Sequence, residues 1–166
     1  MRHIIKGAIV AAVFMIYNII TSHIEILGIA PSLMIVLAVA YSLGAENEVE
    51  SLIYSVVIGV LMDIVWRRVF GLWTVLFMYV GVMVYFAGEY FYNNTAVKAA
   101  FITFAATIFI EAAFYLANFT LFGNTGFVYM LFRTIIPAGA YNAILQLLFN
   151  GWILKYIPEK KRSEAL

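Results

Sequence analysis

The sequence predicts an all-α integral membrane protein, a single bundle of six transmembrane helices filling residues 1–166. Three observations predict it. Hydrophobic residues make up 65% of the chain and charged residues only 11%, against roughly 25% charged in a soluble domain. Mean hydropathy is +0.98. The apolar residues also arrive in successive blocks of about the 17 to 25 that a helix needs to cross a bilayer.

The first block runs from about Ile4 to Ile20, behind Arg2 and with Lys6 inside it. A cleaved signal peptide shares the positive start and apolar stretch, but no small-residue cleavage site follows between Asn18 and Glu25, so the block reads as a retained span. The second block covers Ile26 to Leu43, with Pro31 in its first turns, where a missing amide costs least. The polar tract Gly44 to Glu50 follows, and then a short third block, Ser51 to Trp66, that ends at Arg67 and Arg68. The fourth block, Phe70 to Ala87, exits through a loop in which Asn93-Asn94-Thr95 signals a turn. Gly123 to Gly126 separates the fifth block, Val97 to Phe122, from the sixth, Tyr129 to Tyr156. Pro137 beside Gly139 predicts a kink in the sixth, and a charged tail runs from Pro158.

Lysine and arginine favour the cytoplasmic side of a short-looped membrane protein. With the N-terminus inside, that side collects Arg2, Lys6, Lys98, Lys155, Lys160, Lys161 and Arg162, against Arg67, Arg68 and Arg133 outside, seven to three. Both termini are therefore expected in the cytoplasm.

Composition also excludes functions. There is no cysteine, hence no disulfide framework, thiolate nucleophile or cysteine metal site. The two histidines, His3 and His23, are not spaced like ligands, and no cofactor or catalytic metal is expected. A net charge of +1 without a basic stripe argues against nucleic acid. No Ser-His or paired-aspartate set is present to make an intramembrane enzyme.

Function in such a chain should show at polar residues inside the spans. A lipid-exposed carboxylate is costly, so Asp63 and Glu111 should face protein or water and have partners. Asp63 lies 12 residues beyond Ser51, about 18 Å up its helix, with Arg67 four residues on and on the same face. Glu111 lies 13 residues beyond Lys98, about 20 Å, and Arg133 enters the sixth helix near the outer loop. All four fall in the outer half. They form either ion pairs that fix packing or a polar cluster that meets a partner. Asp63 can alternatively cap the amides that open the fourth helix near Phe70-Gly71. A proton relay would need titratable groups in the inner halves, which offer none. Asn18 and Asn118 add amides to the first and fifth spans, while Asn142, Gln146 and Asn150 recur every four residues along the last helix, a stripe that glues helices together or lines a pocket. Ala8 with Ala12, and Gly139 with Ala143, have the spacing of close helix contacts. Trp66, Trp73 and Trp152 near helix ends suit an interfacial belt.

The run Gly59-Val60-Leu61-Met62-Asp63-Ile64-Val65, followed by Phe70-Gly71-Leu72, resembles the third-helix signature of the rod shape-determining MreD family, a glycine, a leucine and an aspartate among apolar residues and then a turn to Leu-Gly. Pro31-Ser32-Leu33 stands where that family has Pro-Asp-Leu, and Ile136-Pro137 with Asn142 is similar to its proline-bearing last helix. Ser32 and Arg67 depart from the pattern. The resemblance implies a non-catalytic subunit of the bacterial elongation machinery in the inner membrane. That subunit would bind the bitopic protein MreC and, through it, be linked to MreB and the peptidoglycan synthases. It also implies a fold similar to the S components of energy-coupling-factor transporters. Such a vitamin-binding S component is the alternative reading, and Ala8 and Ala12 would supply its Ala-x-x-x-Ala contact. The positions singled out as structural or partner contacts are Asp63, Arg67, Glu111, Arg133, Pro31, Gly59, Gly71 and Asn142.

Overall fold

The computed structural model describes residues 2–21, 31–65, 71–90, 96–122 and 126–156, and all regular structure among them is helical. The elements are α1 (Arg2–Thr21), α2 (Leu33–Gly44), α3 (Glu48–Val65), α4 (Leu72–Tyr90), α5 (Ala96–Phe122) and α6. The last joins Phe127–Met130, a π-helical turn Leu131–Ile135 and Ile136–Tyr156. Among the described residues Ala96–Ala117 and Phe127–Leu148 are long and apolar enough to cross a membrane, and Gly7–Ile19, Leu33–Gly44 and Leu72–Gly88 are shorter apolar helices.

α2 is the axis of the bundle. Every one of its twelve residues is buried, and it packs against α1, α3, α4, α5 and α6. At 1.5 Å per residue it is about 18 Å long, little more than half of a hydrocarbon core of about 30 Å. This corrects the span expected over Ile26 to Leu43. Pro31 and Ser32 are not helical, so Pro31 stands ahead of the helix rather than in its first turns, and residues 22–30 lie outside the described residues. Proline disfavours helical geometry in the residue before it, and the first amides of α2 bond to side chains of other helices.

α3 opens with a reciprocal cap inside the polar tract Gly44 to Glu50. The Asn47 side chain accepts the Glu50 amide at 2.8 Å, and the Glu50 carboxylate reaches back to the Glu46 amide at 2.8 Å, close to a capping box. The expected kink at Pro137 takes the form of the π turn just before it, where the Ile136 amide donates to Leu131 five residues back. Proline cannot donate to the ladder and its ring crowds the preceding turn, and a wider turn absorbs both effects.

The bundle buries polar side chains within its apolar core and exposes large apolar ones. Asn18, Ser42, Ser51, Ser55, Asp63, Thr103, Thr107, Asn142 and Gln146 are all buried. The outward faces carry Ile9, Val13, Tyr79, Met83, Phe101, Leu116, Phe132 and Leu148, each about half exposed or more. Such a continuous apolar exterior is tolerated only where lipid replaces water.

Candidate functional site

Among the described residues, α3 and α4 are the most extensively packed pair of helices. Gly71 opens α4 with φ +92°, a conformation that glycine adopts without the penalty a side chain brings, and its carbonyl accepts the first helical bond from Val75. Having no side chain, Gly71 cannot cap the helix it begins. Asp63, buried at 1% exposure on α3, does so from across the hairpin. Its Oδ1 accepts the Trp73 amide at 3.1 Å, and its Oδ2 accepts the Thr74 amide at 3.0 Å and the Thr74 hydroxyl at 2.5 Å. An anion at a helix N-terminus also meets the positive end of the helix dipole.

Gly59 lies one turn below Asp63 on the same face of α3. A Cβ there would stand 2.5 Å from the Thr74 Cα and 3.0 Å from the Trp73 carbonyl oxygen, so only glycine lets the two backbones meet. The Gly-x-x-x-Asp spacing is thus one device: the glycine brings α4 close and the aspartate holds its first amides. Further along the crossing, the Ser51 hydroxyl donates to the Gly81 carbonyl at 2.9 Å, and Ser55 shares a 3.3 Å hydrogen bond with Ser42 of α2.

A second group of polar contacts surrounds the start of α2. The Ser32 amide donates to Asn142 Oδ1 of α6 at 2.9 Å, and the Leu33 amide to Asn18 Oδ1 of α1 at 3.2 Å. Asn142 Nδ2 in turn donates to the Thr107 hydroxyl of α5 at 3.2 Å. Three helices thereby close on the N-terminus of a fourth, satisfying amides that lipid would leave unpaired. Pairing of Asn142 with Thr107 in antiparallel helices places Gln146 level with Thr103, and both are fully buried. Thr103 and Thr107 donate back to the carbonyls of Ala99 and Thr103. The Gln146 amide has no hydrogen-bond partner among the described residues.

Several expected arrangements are not formed. Glu111 and Arg133 do not pair: Glu111 is half-buried on the face of α5 level with Ala138, whereas Arg133 is exposed on α6 with its guanidinium 5.5 Å from the Tyr129 ring. Among the described residues Glu111 has no hydrogen-bond or ion-pair partner. Trp73 is not interfacial; it is buried and stacked on Phe114 of α5, with ring centroids 4.9 Å apart. Ala8 and Ala12 are on the exposed side of α1, and the close approach to α3 falls one residue earlier, at Gly7 and Ala11, with Gly7 against Tyr54. Gly139 does meet α5, at Phe104 and Ile108. Trp66, Arg67 and Arg68 lie outside the described residues, as do the side chains of Asn118, Asn150 and Trp152. Sequence reading missed that Asn18 caps α2, and only its position in an apolar helix marked it.

A bundle of apolar-faced helices with buried polar groups, in which the starts of α2 and α4 are capped by side chains of neighbouring helices, is that of a membrane protein. The model of the rod shape-determining protein MreD family matches residues 1–160, and the chain belongs to that family. Membership assigns it a role in rod shape determination. No curated protein and no solved structure matches it.

Proposed function

We propose that the chain is a non-catalytic membrane scaffold of the cell-elongation machinery, binding MreC and thereby supporting peptidoglycan synthesis and rod shape. The observation that carries this reading is a bundle, in a chain matched over residues 1–160 by the MreD family, in which Asn18, Ser51, Asp63 and Asn142 are spent on helix-to-helix bonds. In this reading the six-helix bundle sits in the inner membrane with both termini in the cytoplasm, as the distribution of basic residues favours. Asp63, Gly59 and Gly71 hold the hairpin, Asn142 holds the start of α2 behind Pro31, and no residue has a catalytic role. The partner meets lipid-facing and outer-end surfaces. Arg133 belongs to the latter, where it stands with Tyr129 and Phe132 on the exposed side of the first turns of α6. Aromatic and arginine side chains are those most enriched at protein contacts.

The test is capture of MreC by the tagged chain in mild detergent, with Phe132→Ala and Arg133→Ala as probes of the outer end. The expected result is capture by the wild type and at least tenfold less by the double variant at unchanged thermal stability. An ATPase module in place of MreC, or nanomolar binding of a vitamin, would favour an S component instead.

A further inference from the structure

α5 and α6 carry polar side chains at the same spacing along the faces they turn to each other. On α5 these are Thr103, Thr107 and Glu111, and on α6 Asn142 and Gln146, each four residues from the next. The helices run antiparallel, with Tyr115 against Phe127 at one level and Thr107 against Asn142 at another. In the register of the structure only the middle pair is bonded, Asn142 Nδ2 donating to the Thr107 hydroxyl at 3.2 Å. Gln146, level with Thr103, is fully buried with both atoms of its amide unpaired, and the Thr103 hydroxyl donates to the Ala99 carbonyl instead. Glu111, level with Ala138, has no hydrogen-bond or ion-pair partner among the described residues. One stripe therefore has an orphaned polar group on either side of its single bond.

An unpaired buried amide and an unpaired carboxylate within a membrane bundle are both costly, and one movement answers both. Sliding α6 along α5 by one turn toward its own N-terminal end, about 5 to 6 Å, sets Asn142 level with Glu111 and Gln146 level with Thr107. Asn142 Nδ2 then donates to the Glu111 carboxylate. Gln146 takes over what Asn142 leaves: its Nε2 donates to the Thr107 hydroxyl, and its Oε1 accepts the Ser32 amide that Asn142 accepts at 2.9 Å in the structure. Both orphans gain a partner, while Ser32 and Thr107 keep one. Sterics leave the path open. Gly139 rests on Phe104 and Ile108, and one turn on it would rest on Ile108 and Ala112, a smaller seat. Phe127–Met130 has no buried residue to unpack, and the π turn Leu131–Ile135 behind it gives the helix a place to yield. Burial of Ile135 and Ala138 favours the register of the structure, whereas hydrogen bonding favours the other.

We propose that α5 and α6 form a one-turn register switch, in which the pairing of Thr107 with Asn142 is the populated state and the joint pairing of Glu111 with Asn142 and Thr107 with Gln146 is the minor one. Tyr129, Phe132 and Arg133 ride on the start of α6, so the switch displaces that exposed surface by one turn. This consequence, unlike the register change itself, rests on the scaffold reading above.

The experiment is oxidative cross-linking of the full chain in membranes, which the absence of native cysteine makes direct. Ile108→Cys with Gly139→Cys reports the register of the structure, and Ala112→Cys with Gly139→Cys reports the shifted one. Leu116→Cys with Gly139→Cys, a further turn away, measures chance encounters. The first pair should close fastest, and the second at about a tenth of its rate or less, as a minor state does, yet well above the third. Glu111→Leu and Gln146→Leu each remove a partner that only the shifted register uses. Each should slow the second pair at least fivefold and leave the first unchanged, and the first pair also shows that the variants fold. A second pair that closes no faster than the third, or that is indifferent to both leucine variants, overturns the switch. Loss of partner capture with the cross-links as expected would instead count against the scaffold reading.

Discussion

Replacing Asp63 by alanine removes the acceptor of three hydrogen bonds in a site with 1% exposure, and no described side chain within that hairpin stands ready to replace it. Loss of an ordinary N-cap side chain costs about 0.5 to 2 kcal/mol for one orphaned amide. Here the Trp73 and Thr74 amides and the Thr74 hydroxyl are orphaned together. At about 1 kcal/mol each, the value for polar contacts in membrane bundles, the expected loss is about 3 kcal/mol. Asp63→Asn keeps one acceptor oxygen but turns an NH₂ group toward donors, so about half of that loss is expected. Thr74→Val removes the hydroxyl bond alone, at about 1 kcal/mol. Because these groups share one carboxylate, the Asp63→Ala and Thr74→Val effects should fall short of additive. The assay is reversible unfolding in mixed micelles, followed by helix content. If Asp63→Ala stays within about 0.5 kcal/mol of wild type, the range of ordinary surface substitutions, the cap carries no stability and the reasoning fails.

Gly59→Ala should destabilise by about 1 to 3 kcal/mol, because its Cβ would meet the Thr74 backbone, and a wild-type melting temperature would contradict the close crossing. Gly71→Ala has open space around it, so its expected cost of about 1 to 2 kcal/mol comes from the positive φ alone; the same unfolding assay should show Gly71→Asn milder than Gly71→Ala. Asn18→Ala and Asn142→Ala should each cost about 1 kcal/mol and loosen the start of α2, read as faster amide exchange at Ser32 and Leu33, whereas unchanged exchange would deny both caps. Glu111→Gln should hold or raise stability, since it removes a half-buried carboxylate that has no described partner; a fall of more than about 1 kcal/mol would reveal a partner.

The helical class was legible because composition and block length are bulk properties that burial cannot disguise. The hairpin was legible in part, since two special residues four apart in an apolar helix share a face, and a Phe-Gly turn follows at reach. Which group Asp63 would hold was not, because an arginine one turn on and a set of backbone amides are equally good partners until the chain is folded. α2 is not legible for a physical reason: a helix buried on all sides carries no amphipathic period, so its twelve largely apolar residues read the same as part of a membrane-spanning run. The caps on its first amides come from Asn18 and Asn142, 15 and 110 residues away from the amides they accept, a pairing no local pattern records. The place of Trp73 near a helix end suggests an interface, but the side chain turns inward, where Phe114 offers a ring to stack on and Asp63 pins its amide.

A scaffold that works by binding rather than by chemistry is tested most directly by what it holds. The tagged chain should be extracted in mild detergent from a rod-shaped bacterium and its stably bound proteins identified. Capture of MreC, lost together with rod shape when Phe132 and Arg133 are replaced in a chain that still inserts and folds, is the predicted result. A folded, membrane-inserted wild-type chain that brings down no MreC would contradict it.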